Sequence, residues 1–267
     1  MDQFNSLSSN FHKLIFLTLS HMAAAASDID FAQYICVITG PIGVGKTTTY
    51  NKVFSELSKV RNNVRQVREY IDGKEQLVSQ FLLGKYLQGE LSDACFQNYI
   101  QSYYVNELTP NKLSGQIVLM ERCMSDSVGI FCNIANKKGN LSNLDFTIMF
   151  DNCVNEDEKV RAPNYFIKNF EFSLIKTDDV ADKACRQILN IIEDDLAKGV
   201  KRRVIGLTNT AEVCYERMYR RARTAEDAYR KEDIEINCRA YDRLYEMIND
   251  EAVDQIRVFD LGYLLKK

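Results

Sequence analysis

The chain has 267 residues, 46% of them hydrophobic, which is enough for one substantial core and ordinary for a single α/β catalytic domain. A formal net charge of −3 provides no global basic field, so nucleic acid is not the expected partner, whereas a small anionic substrate needs only a local basic pocket. Both histidines, His12 and His21, precede the body of the chain, and the cysteines at 36, 95, 123, 132, 153, 185, 214 and 238 form no C-x-x-C pair. Histidine metal sites and Ser–His or Cys–His catalysis are therefore not expected, a carboxylate is the expected general base, and free thiols point to a reducing, cytoplasmic setting.

In chain order, "KLIFLTLSHMAAAAS" (Lys13 to Ser27) loosely imitates a secretory signal, but His21 interrupts its apolar run. No arginine precedes Arg61, which argues against a mitochondrial presequence. Residues 1–30 are read as a loosely ordered extension, Met22 being an alternative start, and no run is long enough to span a bilayer.

The apolar run "YICVIT" predicts a strand, and "KTTTYNKVFSEL" carries Tyr50, Val53, Phe54 and Leu57 at helical spacing. Between them, Gly40-Pro-Ile-Gly43-Val44-Gly45-Lys46-Thr47 fills every fixed position of the P-loop pattern G-x-x-x-x-G-K-[ST]. Such a loop, with the Thr48 position beside it, turns backbone N–H groups inward toward phosphate at a helix N-terminus. Lys46 is placed to reach the terminal phosphates and the Thr47 hydroxyl to ligate Mg²⁺.

"NNVRQVREY" (Asn62 to Tyr70) is a candidate second strand with poor alternation, and Gln76 to Leu108 is helical in pattern. Pro110, Asn111 and Gly115 mark a turn before "QIVLMER", a buried-strand signal ending in charge, and a helix begins near Ser125. Residues 151–178 are polar and irregular and read as an inserted loop or hairpin. Then follow the helix "VADKACRQILNIIEDDLAKG" closed by Gly199, the strand "RRVIGLT", the helix "AEVCYERMYRRARTAEDAYR" running into a basic segment, the helix "INCRAYDRLYEMINDEAV" and a last strand "IRVFDL". Strands alternating with helices predict a five-stranded parallel sheet covered on both faces, with the site at the carboxyl ends of the strands.

Three further blocks carry chemistry. In "FQNYIQSYY", Gln97, Ile100 and Tyr104 share one helical face, and the Gln97 amide offers the donor and acceptor that a pyrimidine edge requires. A surface glutamine is the alternative from period alone. In "MERCMSDSVGIF", Glu121 and Arg122 end a buried strand and so lie near the mouth of the P-loop, an exposed ion pair being the alternative. In "CYERMYRRARTAED", Arg217, Arg220, Arg221 and Arg223 crowd into one stretch whose repulsion calls for an anion, phosphate being the natural one.

The P-loop, "ACFQNYIQ", "MERCMSDSVGIF" and "CYERMYRRARTAED", in that order, resemble the deoxynucleoside kinase family of the deoxycytidine kinase and mitochondrial thymidine kinase type, over most of Tyr34 to Leu261. The resemblance implies a P-loop kinase fold with an arginine-rich lid over residues 31–267 (151–178 a candidate insertion), ATP and a deoxynucleoside as small-molecule partners, Mg²⁺, and a homodimer. It implies that Thr47 and Glu121 hold Mg²⁺, that Arg122 contacts the reacting 5′ region, that Arg221 and Arg223 clamp phosphate and that Glu226 accepts the sugar 3′-hydroxyl. Gln97 is then the residue that reads the base, Phe131 the aromatic that stacks on it and Tyr86 the tyrosine at the 3′-hydroxyl. Glu69 is chosen as general base, with Asp72 and Glu75 as alternatives.

The departures are specific. Tyr70 follows Glu69 where the family has proline, no tryptophan occurs in the chain, and Val128 replaces a family arginine. Tyr104 and Ser127 stand where relatives that prefer deoxycytidine and purines have arginine and aspartate, so thymidine or a broad pyrimidine range is the expected preference. A thymidylate-kinase-type monophosphate kinase and a non-catalytic nucleotide-binding subunit are the alternatives.

Overall fold

The computed structural model describes residues 31–72, 76–177, 181–221, 226 and 228–250. The N-terminal extension 1–30, the predicted strand Ile256 to Leu261, Glu75 and Arg223 lie outside the described residues.

β1 (Tyr34–Thr39) is buried along its whole length, as expected for a continuous apolar run at the centre of a parallel sheet. It leads through the P-loop into α1 (Lys46–Val60) and then β2 (Val64–Val67). The helical stretch predicted from Gln76 to Leu108 is two helices, α2 (Gln76–Leu87) and α3 (Asp93–Glu107). They are separated at Gly89, whose φ of 75° favours glycine, and the Ser92 hydroxyl caps α3 by accepting from the Cys95 N–H at 3.3 Å. A single turn, α4 (Pro110–Leu113), precedes β3 (Ile117–Glu121), which is fully buried. The next helix starts as α5 (Met124–Asp126), widens into π-helical turns over Ser127–Cys132 and ends as α6 (Asn133–Lys137). Then come α7 (Asn143–Val160), β4 (Glu171–Lys176), α8 (Ala181–Lys198), β5 (Arg202–Thr208), α9 (Ala211–Arg221) and α10 (Lys231–Asn249).

The sheet order is β2-β3-β1-β5-β4, with every pairing parallel. Alternate residues of β1 feed two cores: Ile35 and Val37 pack with α3, α7 and most of α10, whereas Tyr34, Cys36 and Ile38 face α1, α8 and α9. The register pairs Ile38 with Glu121 and Thr39 with Gly206, which brings the end of β3 beside the start of the P-loop.

Residues 151–178 differ from the expected loop or hairpin. They hold the second half of α7 and the edge strand β4, which brings the described sheet to five strands. Only Ile175 of β4 is fully buried, so the strand carries almost no hydrophobic signal. Among the described residues, no helix is long and apolar enough to cross a membrane.

Candidate active site

The P-loop is shaped by contacts that only glycine tolerates. Gly43 has φ of 79°, and a Cβ there would lie 1.9 Å from the Cys214 carbonyl oxygen of α9. Gly40 is similar, its virtual Cβ meeting the Leu207 carbonyl oxygen at 2.6 Å. From α10, the Asn237 Oδ1 accepts the Ile42 N–H at 2.9 Å, pinning the loop from outside. The first turn of α1 has N–H groups without helical partners, and they open on a cavity of about 590 Å³ at the carboxyl ends of the strands. Gly43, Val44, Gly45, Lys46, Thr47 and Thr48 all line it.

At the floor of this loop the Thr47 hydroxyl donates to Glu121 Oε1 at 2.6 Å. Glu121 is fully buried and its Oε2 has no hydrogen-bond partner. Burial, and then the neighbouring Glu69 carboxylate, raise its pKa. Lys46 is also buried and donates to the Pro41 carbonyl at 2.9 Å; desolvation, then the Arg122 charge, lower its pKa. Among the described residues no group of three His, Cys, Asp or Glu side chains forms a metal cluster. A hydroxyl, one carboxylate with an orphaned oxygen and an open phosphate nest do fit Mg²⁺, which takes few protein ligands and is completed by phosphates and water.

Arg122 has a positive φ of 62°, and its guanidinium turns back to pair with Glu69 and to donate to the Gly40 carbonyl at 3.3 Å. It stacks 5.0 Å over the Phe131 ring. The expected base and the expected 5′-contact are thus held together at the P-loop. Of the alternatives, Asp72 does not line the cavity; Glu69 does.

Gln97, Ile100 and Tyr104 line one wall, as their spacing predicts. Ser127 donates to Gln97 Oε1 at 2.7 Å, which leaves the amide NH₂ to donate elsewhere. The Tyr104 hydroxyl donates to the Glu121 backbone carbonyl at 3.1 Å. Where the family's proline and tryptophan are missing, the wall is built from Tyr70, Ile71, Leu83 and Phe96. Tyr70 meets Phe96 edge-on at 5.7 Å, and Tyr86 stacks on Phe96 at 4.5 Å and 11°.

The described arginines of the cluster have partners within the chain. Arg217 donates to the Val44 carbonyl at 3.1 Å, Arg220 pairs with Glu216 at 3.5 Å, and Arg221 grips both oxygens of Glu226, the closest contact being 2.6 Å. Arg217, Arg220, Arg221 and Glu226 all line the cavity.

Several lining residues carried no sequence signal. Asp126 accepts from the Tyr241 hydroxyl at 2.9 Å, the Tyr165 hydroxyl at 3.0 Å, the Cys123 N–H at 2.8 Å and the Thr39 hydroxyl. Asp93, Thr177, Tyr229 and Asn237 also face the cavity. For Asp126 and Asn237 the decisive partners, Thr39, Tyr165 and Tyr241 for the one and Ile42 for the other, come from distant elements, so no local pattern marks them.

A P-loop leading from the central strand of a five-stranded parallel sheet, joined in one cavity to a buried carboxylate–arginine pair and to the arginines of α9, defines a P-loop phosphotransferase. A family model described as deoxynucleoside kinase matches residues 35–168, half of the chain, and this chain belongs to the deoxynucleoside kinase family. Among solved structures, it resembles that of the deoxyadenosine kinase from M. mycoides with bound dATP, at a TM-score of 0.50 and 15% identity, covering 83% of this chain and 87% of that one. At that identity the likeness is one of fold. No curated protein sequence matches the chain.

Proposed function

We propose that the chain transfers the γ-phosphoryl group of ATP to the 5′-hydroxyl of a deoxyribonucleoside, with thymidine or pyrimidine deoxynucleosides preferred. The observation that carries this reading is the single cavity in which Lys46 and Thr47, the Glu69–Arg122 pair and the Gln97–Ser127 pair follow one another. Glu69 takes the proton from the 5′-hydroxyl while Arg122 holds that carboxylate and faces the developing charge. Lys46 exchanges the Pro41 carbonyl for phosphate oxygens, and Arg221 closes over them; Arg223 is the second phosphate-clamping arginine that the resemblance implies. Thr47 and Glu121 are the residues that would hold Mg²⁺, which when bound neutralises charge on the phosphates. Exclusion of water by the lid limits futile hydrolysis.

The Gln97 amide donor suits a base acceptor, and the bulk of Tyr70, Phe96 and Tyr104 favours a single ring. The homodimer implied by the resemblance has a surface to use in Leu144 and Ile148, exposed one turn apart on α7 at 69% and 50%.

The test supplies Mg²⁺, ATP labelled at the γ-phosphate and, separately, thymidine, deoxycytidine, deoxyadenosine, deoxyguanosine and dTMP. Label is expected in the pyrimidine 5′-monophosphates first. A deoxypurine outrunning both pyrimidines overturns the preference; label passing only to dTMP makes this a monophosphate kinase, and ATP binding without transfer makes it a regulatory subunit.

A further inference from the structure

Beside the sugar-reading tyrosine of the proposed site lies a carboxylate that neither the sequence nor the family blocks single out. Asp93, in the first turn of α3, is 8% exposed and lines the cavity. Its Oδ1 accepts the Tyr86 hydroxyl proton at 2.7 Å. Tyr86 has little freedom to turn away, because its ring lies flat on Phe96 at 4.5 Å and 11°. Glu226, the other group implied for the sugar, has both oxygens engaged by Arg221.

We infer that Asp93 is a positioning residue that fixes the donor sense of Tyr86: with its proton committed to Asp93, the Tyr86 oxygen can only accept, and the group it selects is a hydroxyl donor at the 3′ position of the sugar. A phenol has one proton to give and two lone pairs. A free Tyr86 would rotate its proton to suit a 3′-hydroxyl or a 3′ acceptor alike, whereas one tied to Asp93 gains nothing from an analogue that lacks the donor. Burial and then the hydrogen bond to Asp93 raise the Tyr86 pKa, so the phenol stays neutral and keeps that proton. The inference rests on the reading of Tyr86 as the residue at the sugar.

The experiment measures kcat and KM for thymidine and for 3′-fluoro-3′-deoxythymidine, whose 3′ substituent can accept but not donate, or the matching pair for the best substrate in the transfer panel. The proteins are wild type, Asp93→Ala, Asp93→Asn, Tyr86→Phe and the double variant Asp93→Ala/Tyr86→Phe. Wild type is expected to favour the 3′-hydroxyl substrate, mainly in KM. Asp93→Ala should cut that preference about tenfold, the worth of one well-placed hydrogen bond. Tyr86→Phe should cut it equally, the double variant no further, and Asp93→Asn should restore it, since an amide oxygen accepts the same bond. Equal losses on both substrates in Asp93→Ala, with Tyr86→Phe alone erasing the preference, would overturn the inference and leave the Tyr86 reading standing. A preference untouched in Tyr86→Phe would overturn that reading and the inference with it. If Asp93→Ala fails to fold, the near-isosteric Asp93→Asn decides: it must keep the preference that Tyr86→Phe loses.

Discussion

Glu69 and Arg122 meet in the folded chain although 53 residues separate them, and the pairing depends on Arg122 adopting a left-handed backbone at the end of β3. That conformation turns its side chain back across the P-loop carbonyl of Gly40 rather than onward along the strand. Replacing Glu69 with Gln keeps an acceptor for Arg122 but removes the group able to take a proton. The expected result is a loss of turnover of about 10²–10⁴-fold with nucleoside KM nearly unchanged, checked by steady-state kinetics with the best deoxynucleoside. Survival of turnover within a few-fold would assign the base elsewhere. At this scale the sequence was most legible where a motif fixes spacing: Lys46, Thr47, Glu121 and Gln97 all reach the same cavity or its floor. Asp126 and Asn237 were illegible because their work is done for residues far along the chain, Asp126 for Thr39 and Asn237 for Ile42.

Among the elements, legibility followed burial. β1 and β5 match the runs "YICVIT" and "RRVIGLT" residue for residue, because continuous apolar runs belong to strands covered on both faces. β2 and β4 lie at the two edges, with one fully buried residue each, and the periodicity there is faint or lost. The π-helical turns over Ser127–Cys132 had no signal either, since a change in hydrogen-bond step leaves composition untouched. Away from the site, at the amino ends of the strands, one buried carboxylate ties three elements together. Asp195 of α8 accepts from Tyr34 of β1 at 2.7 Å and from Arg203 Nε of β5 at 2.7 Å. Asp195→Ala strands the Arg203 charge, of which only 13% of the side chain is exposed, and the Tyr34 hydroxyl together. Unfolding in urea should show a loss of about 3 kcal/mol, with kcat at 25 °C unchanged because the site lies at the other end of the sheet. A loss under about 0.5 kcal/mol would make the pair no stronger than a surface contact.

Across the whole molecule, buried polar groups form a chain from α7 to the P-loop strand. Asp157 accepts from the Ser125 hydroxyl at 3.2 Å, Ser125 accepts the Tyr165 N–H at 3.3 Å, and the Tyr165 hydroxyl donates to Asp126, which also holds Thr39 at the end of β1. Asp157 is its costly member: it is fully buried, its Oδ1 has no partner, and it also accepts from the Asn164 amide at 3.1 Å and the Cys153 thiol at 3.5 Å. Burial raises its pKa from 3.8 to about 7, against the weaker opposing pull of those hydrogen bonds. Because the folded state then holds a proton that the unfolded chain has released, stability from this group is greatest below pH 3.8, falls as pH rises toward 7 and is flat above. Asp157→Asn keeps the acceptor oxygen and removes the titration. The variant should gain on wild type as pH rises from 4 to 8, by on the order of 2 kcal/mol in urea-melt stability, and the gap should close again on acidification. Parallel stability curves for the two proteins across that range would show instead that Asp157 keeps an ordinary carboxyl pKa in the fold, solvated by a path to water between α7 and the Ser125 turn.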